Sequence, residues 1–452
     1  MKTILLVLII ALLTGKNSTG QNSIDNYIKE GLENNLALKQ QKENFRISLL
    51  SLKEAVSLYY PSVSINARYS VADGGRIIEL PVGDLLNPVY STLNQLTYSE
   101  SFPQIENEET NFLRPREHET KLRMTQTIFN PAVYYNSKIK SNLVEAELIN
   151  IDSYKRELIA EIKKAYYNYL KTVEINKILI KTETVLNENI RVNQKLFENN
   201  KVTIDAVYRS QSELSELQTF KAQALKSEKS AAAYFNFLLN KPLNSPIEIQ
   251  NKSLEHETPV NLEDSKENAE LKREELKSLM IYNSIAENNL MMNRGAALPS
   301  VYAVVDYGFQ GSEYKFNNEQ DFVMASLVLS WDIFKGFGNK SKIQKAKLEK
   351  EIISIKTEEA KNRIELQVIA AYYETEACAK EIISSQQQVQ FASEAYKIIE
   401  KKYKEGLVNL LQYIDARTNL TNAELNEIIA FYDYKIKYAD YEKAAALYTL
   451  NI

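Results

Sequence analysis

Apolar residues recur at alternating steps of four and three in two long stretches of the chain. In the later stretch one seam runs through Ile364, Ala371, Cys378, Ser385, Ala392 and Ile399, and the other through Val368, Thr375, Ile382, Val389, Tyr396 and Tyr403. Shifting back by 206 positions gives Leu158, Ala165, Thr172, Leu179, Leu186 and Asn193, with Ile162, Tyr169, Asn176, Glu183, Ile190 and Phe197. Eighteen of these twenty-four positions are apolar, where a chain that is 44% hydrophobic would place roughly ten or eleven by chance. A period of 3.5 predicts helices that supercoil against partners; an amphipathic helix of period 3.6 is the plainer alternative. Helix breakers agree with long helices. Glycine is absent between Gly83 and Gly295, and between Pro131 and Pro242 there is neither glycine nor proline. The runs Asn136–Phe197 and Asn339–Tyr403 each hold about 60 residues, or roughly 90 Å of helix.

Both runs stop in a similar way, at Asn199-Asn200 and at Gly406-Leu407, where asparagine and glycine tolerate left-handed backbone. Asp205 follows the first stop at a cap position. The runs are therefore expected to turn and return as antiparallel hairpins whose turns form an exposed end. Shorter helices are expected over Ile24–Leu58 and Asn268–Asn293.

Four other segments alternate with period two. Val63, Ile65, Ala67 and Tyr69 oppose Ser64, Asn66 and Arg68; Leu122 and Met124 alternate with Arg123, Thr125 and Thr127 in a segment from about Lys121 to Phe129. Val301 to Phe309 forms the third, and Asp321 to Phe334 the fourth, with Val323, Ala325, Leu327, Leu329, Trp331 and Ile333 on one face. Strands of about ten residues with one apolar face suit a membrane β-barrel, with Tyr69, Tyr307 and Trp331 near strand ends as interfacial aromatics. A half-buried soluble sheet alternates in the same way. Between the first two strands, residues 71–119 carry nine acidic and three basic residues, four prolines and three glycines, and read as a long acidic loop, the side that faces the exterior in such barrels.

The order proline-marked strand, loop, strand, long helix occurs twice. Tyr60-Pro61-Ser62-Val63 parallels Leu298-Pro299-Ser300-Val301, and Ala165-Tyr166-Tyr167 parallels Ala371-Tyr372-Tyr373. The reading is an internal duplication: residues 21–242 and 264–452 as repeats of helix, two strands and a long helical hairpin, joined by an irregular linker over 243–263.

Composition narrows the function. Lys2, an apolar run from Ile4 to Leu13 and then Ser18-Thr19-Gly20 read as a signal peptide over residues 1–20. Its length and flanks, with the duplicated layout, favour the membrane for the strands. Net charge is −4, so no basic surplus suggests nucleic acid, and a mean hydropathy of −0.35 excludes a bundle of membrane helices. Cys378 alone cannot form a disulfide and reads as a small packing residue. His118 and His256 lack partners at ligand spacing and read as surface residues; no cofactor or metal is expected. No phosphate-binding loop or nucleophile elbow occurs, so the chain is not read as an enzyme. Four strands cannot close a channel, and lipid requires paired edges, so copies must pool strands; three give twelve.

Signal peptide, duplicated strand pairs, very long helices and hairpin breaks together resemble the TolC-like outer-membrane efflux proteins over essentially all of the mature chain. The most specific stretches are the two proline-marked strand starts and the tip running from Tyr403 through Gly406 to Asp415-Ala416. The resemblance implies an α+β membrane protein: a homotrimer with a 12-strand β-barrel in outer-membrane lipid, continuing into a periplasmic coiled-coil helical tunnel. It also implies a periplasmic adaptor and an inner-membrane pump or secretion ATPase as partners, in tripartite efflux or type I secretion. In the family the helix tips form an iris-like gate ringed by aspartates. Asp415 matches one; Gln412 stands where the second is expected, and Val408 where a latching arginine is. Asp205 matches the turn of the first repeat, and Tyr403 begins the tip. Asn199, Asn200, Gly406 and Leu407 are then the adaptor-contact tips. Asp415 read alone is equally a cap of the returning helix. The competing class is a periplasmic coiled-coil adaptor without a pore, which usually carries one hairpin rather than two.

Overall fold

A computed structural model describes residues 22–249 and 261–450. The expected signal peptide, His256 and most of the 243–263 linker lie outside the described residues. In chain order the elements are α1 (Asn22–Asn34), α2 (Leu36–Ser57), β1 (Ser62–Val71), β2 (Ile77–Leu80), α3 (Val82–Thr97), β3 (Glu108–Asn111), β4 (Arg116–Phe129), α4 (Pro131–Glu198) and α5 (Ile204–Leu238). There follow α6 (Leu262–Lys272), α7 (Glu274–Gly295), β5 (Ser300–Gly311), β6 (Asp321–Ser330), α8 (Gly338–Lys404) and α9 (Leu410–Ala444). The described residues of Met1–Leu50, Ser141–Ala286 and Glu349–Ile452 form one compact unit, and Ser51–Lys140 with Glu287–Leu348 a second.

The first unit is helical, and the seven-residue pattern is its packing code. All twelve seam positions of α8, from Ile364 to Tyr403, are buried or half-buried, and along α4 only Phe197 at the end of the seam is exposed. The core joins Ile28 and Leu38 of the first two helices to Leu158, Ile159 and Ile162 of α4, Phe235 of α5 and Phe431 and Tyr434 of α9. Cys378 packs half-buried against this core, and burial raises its thiol pKa, which makes it a filler rather than a nucleophile.

Two expected helices are each interrupted. Asn35 splits the first: its Oδ1 accepts from Leu38 N at 3.0 Å, capping α2, while its Nδ2 donates to Leu238 O at 2.9 Å. Arg273, with extended backbone, splits the second and donates to Ala444 O at 3.1 Å. The next residue, Glu274, receives a buried two-bond grip from Arg156 at 2.7 and 2.8 Å. Removing one partner of such a pair costs about 3–5 kcal/mol, because the other charge stays buried.

The second unit holds a four-stranded antiparallel sheet in the order β1-β4-β5-β6 and a two-stranded ribbon, β2-β3. Register aligns Ile65, Leu122, Tyr307 and Val323 in one row and Val63, Met124, Val305 and Ala325 in the next. This apolar face is uncovered by the chain: Ile65 is 76% exposed, Val323 73% and Leu327 73%. The opposite face is polar. There Arg123 donates twice to Asp306, at 2.8 and 2.7 Å, and Lys121 pairs with Glu119 at 2.5 Å. Gly308 faces Lys121 across the sheet, and a Cβ there would sit 2.5 Å from Thr120 O, so only glycine fits.

Three expectations are corrected in this unit. The second strand starts at Arg116, five residues early, and the last ends at Ser330, so Ile333 and Phe334 lie beyond it. The acidic connection is folded, holding α3 and the β2–β3 ribbon. Its organising residues are two asparagines: Asn94 exchanges two bonds with the Phe102 backbone, and Asn87 two with that of Ile105. Both bind backbone as a paired strand would, a role that charge and proline counts do not reveal. His118 is buried, not on the surface; its ring stacks on Tyr314 at 4.1 Å and its Nε2 contacts Glu313 O at 2.7 Å. Its β4 position faces the apolar side, where aromatic neighbours cover it.

Candidate functional site

The two helix turns lie where the sequence places them. Asn200 has φ 54° and Gly406 φ 74°, both left-handed. Around each, two crossed backbone bonds close the helix: Lys201 N to Leu196 O and Asn200 N to Phe197 O, both 2.8 Å; Leu407 N to Lys402 O at 2.8 Å and Gly406 N to Tyr403 O at 3.0 Å. This is the Schellman pattern, which satisfies the last carbonyls of a helix. Asn199, Asn200, Gly406 and Leu407 are all exposed. Asn199 additionally donates its side chain to Lys195 O at 2.7 Å.

The returning helices begin differently from expectation. Neither aspartate is a cap. Thr203 is the cap residue of α5, its hydroxyl bonded to the carboxylate of Asp205 in the first turn. In α9 the cap is Asn409: its Oδ1 accepts from Gln412 N at 3.0 Å, and Gln412 Oε1 accepts from Asn409 N at 3.2 Å. Gln412 thus completes a capping box. The spacing Asn-x-x-Gln was the signal that could have found it. Asp415 sits further along α9, exposed, with no part in capping. It lies near Glu213 of α5, whose carboxyl pKa is raised first by burial and then by Glu216; Arg209 opposes, and Asp415 adds a smaller push.

Tyr403 faces inward. Its hydroxyl donates to Asn193 Oδ1 at 2.6 Å, and its ring stacks on Tyr413 at 4.7 Å. Burial pushes the phenol pKa up; the bond to Asn193 pulls it down, and Tyr413 adds to the rise. Asn193, fully buried on the α4 seam, donates to Asn189 Oδ1 at 3.0 Å and to Ser210 Oγ at 2.8 Å. Tyr413 shares a 3.2 Å bond with the Tyr396 hydroxyl. One polar cluster therefore ties α4, α5, α8 and α9 together just inside the turns. Asn193 and Tyr413 were not singled out by sequence because their partners are up to 210 residues away. Among the described residues no cluster of His, Cys, Asp or Glu could hold a metal, and no helix is long and apolar enough to cross a membrane.

Residues 267–446 match the family of outer membrane efflux proteins. In fold, the chain is similar to the CmeC outer membrane channel of Campylobacter jejuni, with a TM-score of 0.77 at 16% identity, covering 94% of this chain and 85% of that one. It is also similar to the MtrE outer membrane channel of Neisseria gonorrhoeae in its open state, with a TM-score of 0.74 at 18% identity, covering 93% and 88%. CusC, described in work on transmembrane channel formation, matches with a TM-score of 0.77 at 14% identity over 96% and 95% of the chains. No curated protein matches in sequence. The resemblance to TolC-like outer-membrane efflux proteins thus holds in sequence for the later part of the chain and in fold for nearly all of it. What is shared with these channels is the fold over nearly the whole chain, and with the efflux-protein family the sequence of residues 267–446.

Proposed function

We propose that the chain is the passive exit duct of a tripartite efflux or type I secretion system, acting as a homotrimer with a periplasmic adaptor and an inner-membrane pump or secretion ATPase. The observation that carries this reading is the sheet: four strands with an uncovered apolar face, and edge strands β1 and β6 that pair on one side only. In lipid both edges must be paired, and joining β1 of one copy to β6 of the next does so. Three copies make a twelve-strand barrel whose polar face, with Arg123 and Asp306, lines the pore. The helices form the periplasmic tunnel. Matching lengths support the repeats 21–242 and 264–452: α4 has 68 residues and α8 67, while α5 and α9 have 35 each.

The test is mass and symmetry in mild detergent, with heat-modifiable migration from outer-membrane fractions. Three chains are expected, and a stable monomer of native helix content overturns the reading. The exposed turns at Asn199, Asn200, Gly406 and Leu407 are the adaptor contacts; single cysteines at 200 and 406 should cross-link the adaptor. Cross-links confined to positions near the strands oppose this.

Three copies of exposed Asp415 near a threefold axis would make a ring of like charge that attracts cations. Asp205 and Tyr403 support the same gate, the latter by holding the tip. Asp415→Asn should reduce cation selectivity in planar bilayers, and unchanged selectivity removes the ring. Val408 has no side-chain donor and cannot serve as a latch, so a resting pore that leaks is expected.

A further inference from the structure

We propose, beyond the duct itself, that a cavity of about 400 Å³ among α4, α5 and α9 binds an uncharged, largely apolar small molecule carrying one hydrogen-bond-accepting oxygen, such as a ketone, ester or amide. Its wall is apolar, built from Leu179 of α4, Leu217 and Phe220 of α5, and Ile414 of α9. A cavity of this size and lining is typical of small-molecule sites. What separates it from a packing defect is its polar edge. Asn189 Nδ2, Arg417 Nε and Thr421 Oγ1 are buried without a hydrogen-bond partner, and all three residues line the cavity. They are 5%, 5% and 8% exposed. A buried donor left without a partner is costly, so three around one cavity favour an acceptor beside them.

The charge of the lining selects the ligand. Arg417 is fixed: a terminal guanidinium nitrogen donates to Thr182 Oγ1 at 3.1 Å, and the group lies 5.5 Å from the Tyr396 ring. Glu213 and Glu216 line the same cavity and outnumber it. An anion meets two carboxylates. A cation finds the two carboxylates but offers nothing to the three buried donors, one of them on the guanidinium, and leaves them unpaired. A neutral carbonyl on an apolar body satisfies both wall and edge.

Benzophenone is the probe, because it has that chemistry and labels nearby C–H bonds on irradiation. Irradiating the full-length oligomer and mapping peptides should show saturable labelling around Leu217–Phe220 and Ile414. Ala224→Trp, which fills the cavity from its half-buried lining position, should lower labelling about tenfold, and Thr421→Val, which keeps shape and removes one donor, at least threefold. Fluorenone should compete at least ten times better than diphenylmethane, which has the two rings without the carbonyl. Labelling that is absent from the oligomer, does not saturate, or is indifferent to both variants overturns the proposal. Equal competition by the two compounds overturns the acceptor requirement, and the assignment with it.

Discussion

The two helix turns share a backbone and differ in nearly everything that supports it. Each ends on a left-handed residue inside the same pair of crossed bonds, but one uses Asn200 and the other Gly406. Behind the first lies an amide and hydroxyl cluster, Asn189, Asn193 and Ser210; behind the second a tyrosine trio, Tyr396, Tyr403 and Tyr413. Ahead of the first, Thr203 makes no side-chain cap bond; ahead of the second, Asn409 and Gln412 form a complete box. The turn is a backbone requirement that several side-chain sets can meet. What differs is how far each turn depends on the other, since Tyr403 of the second is anchored on Asn193 of the first.

That dependence is the easiest part to break. Asn193→Leu keeps the branched heavy-atom shape but takes the acceptor from Tyr403 and the donor from Asn189 and Ser210, all buried or half-buried. The expected cost is about 3 kcal/mol, or roughly a hundredfold loss of hydrogen-exchange protection across 193–210. Both turns should loosen together. A loss under tenfold, or one confined to the first turn, would show the cluster to be incidental. Next in size is Gly406→Val, expected to cost about 2 kcal/mol because a β-branched residue resists positive φ. No atom lies within 4 Å of the added Cβ, so the whole effect is conformational. Asn200→Gly, the converse change, should move stability by only a few tenths of a kcal/mol. Protease nicking at each turn separates the two.

Much of the architecture is legible in sequence because it rests on local rules. Seam spacing, absent breakers and alternating strands set the long helices and the sheet, and Asn200 and Gly406 mark the turns. The failures share a cause. Asn35 and Arg273 break helices through partners distant in sequence, Leu238 and Ala444, and periodicity does not see them. Asn87 and Asn94 fold a segment whose charge and prolines resemble a loop. His118 looks exposed until Tyr314 arrives from another strand connection. At the candidate site, sequence leaves Asp415 open between a gate aspartate and a cap, and the box that begins six residues earlier at Asn409 removes the cap reading.

The smallest expected difference tests the comparison most finely. Asn409→Ala removes the bond to Gln412 N and should cost about 1 kcal/mol, the usual value of an asparagine cap. Thr203→Ala should cost under about 0.5 kcal/mol, since no cap bond is lost and the Asp205 contact is exposed. Both are cap residues with extended backbone, at φ −84° in each case, and only one of them makes a side-chain cap bond. Exchange rates of the first-turn amides of α5 and α9 read each helix start separately. If both substitutions cost the same, the side-chain box contributes nothing beyond the extended backbone, and the second turn is held by its tyrosines alone. If only Asn409→Ala frays its helix, the chain has reinforced the turn whose left-handed residue is glycine, the more flexible of the two.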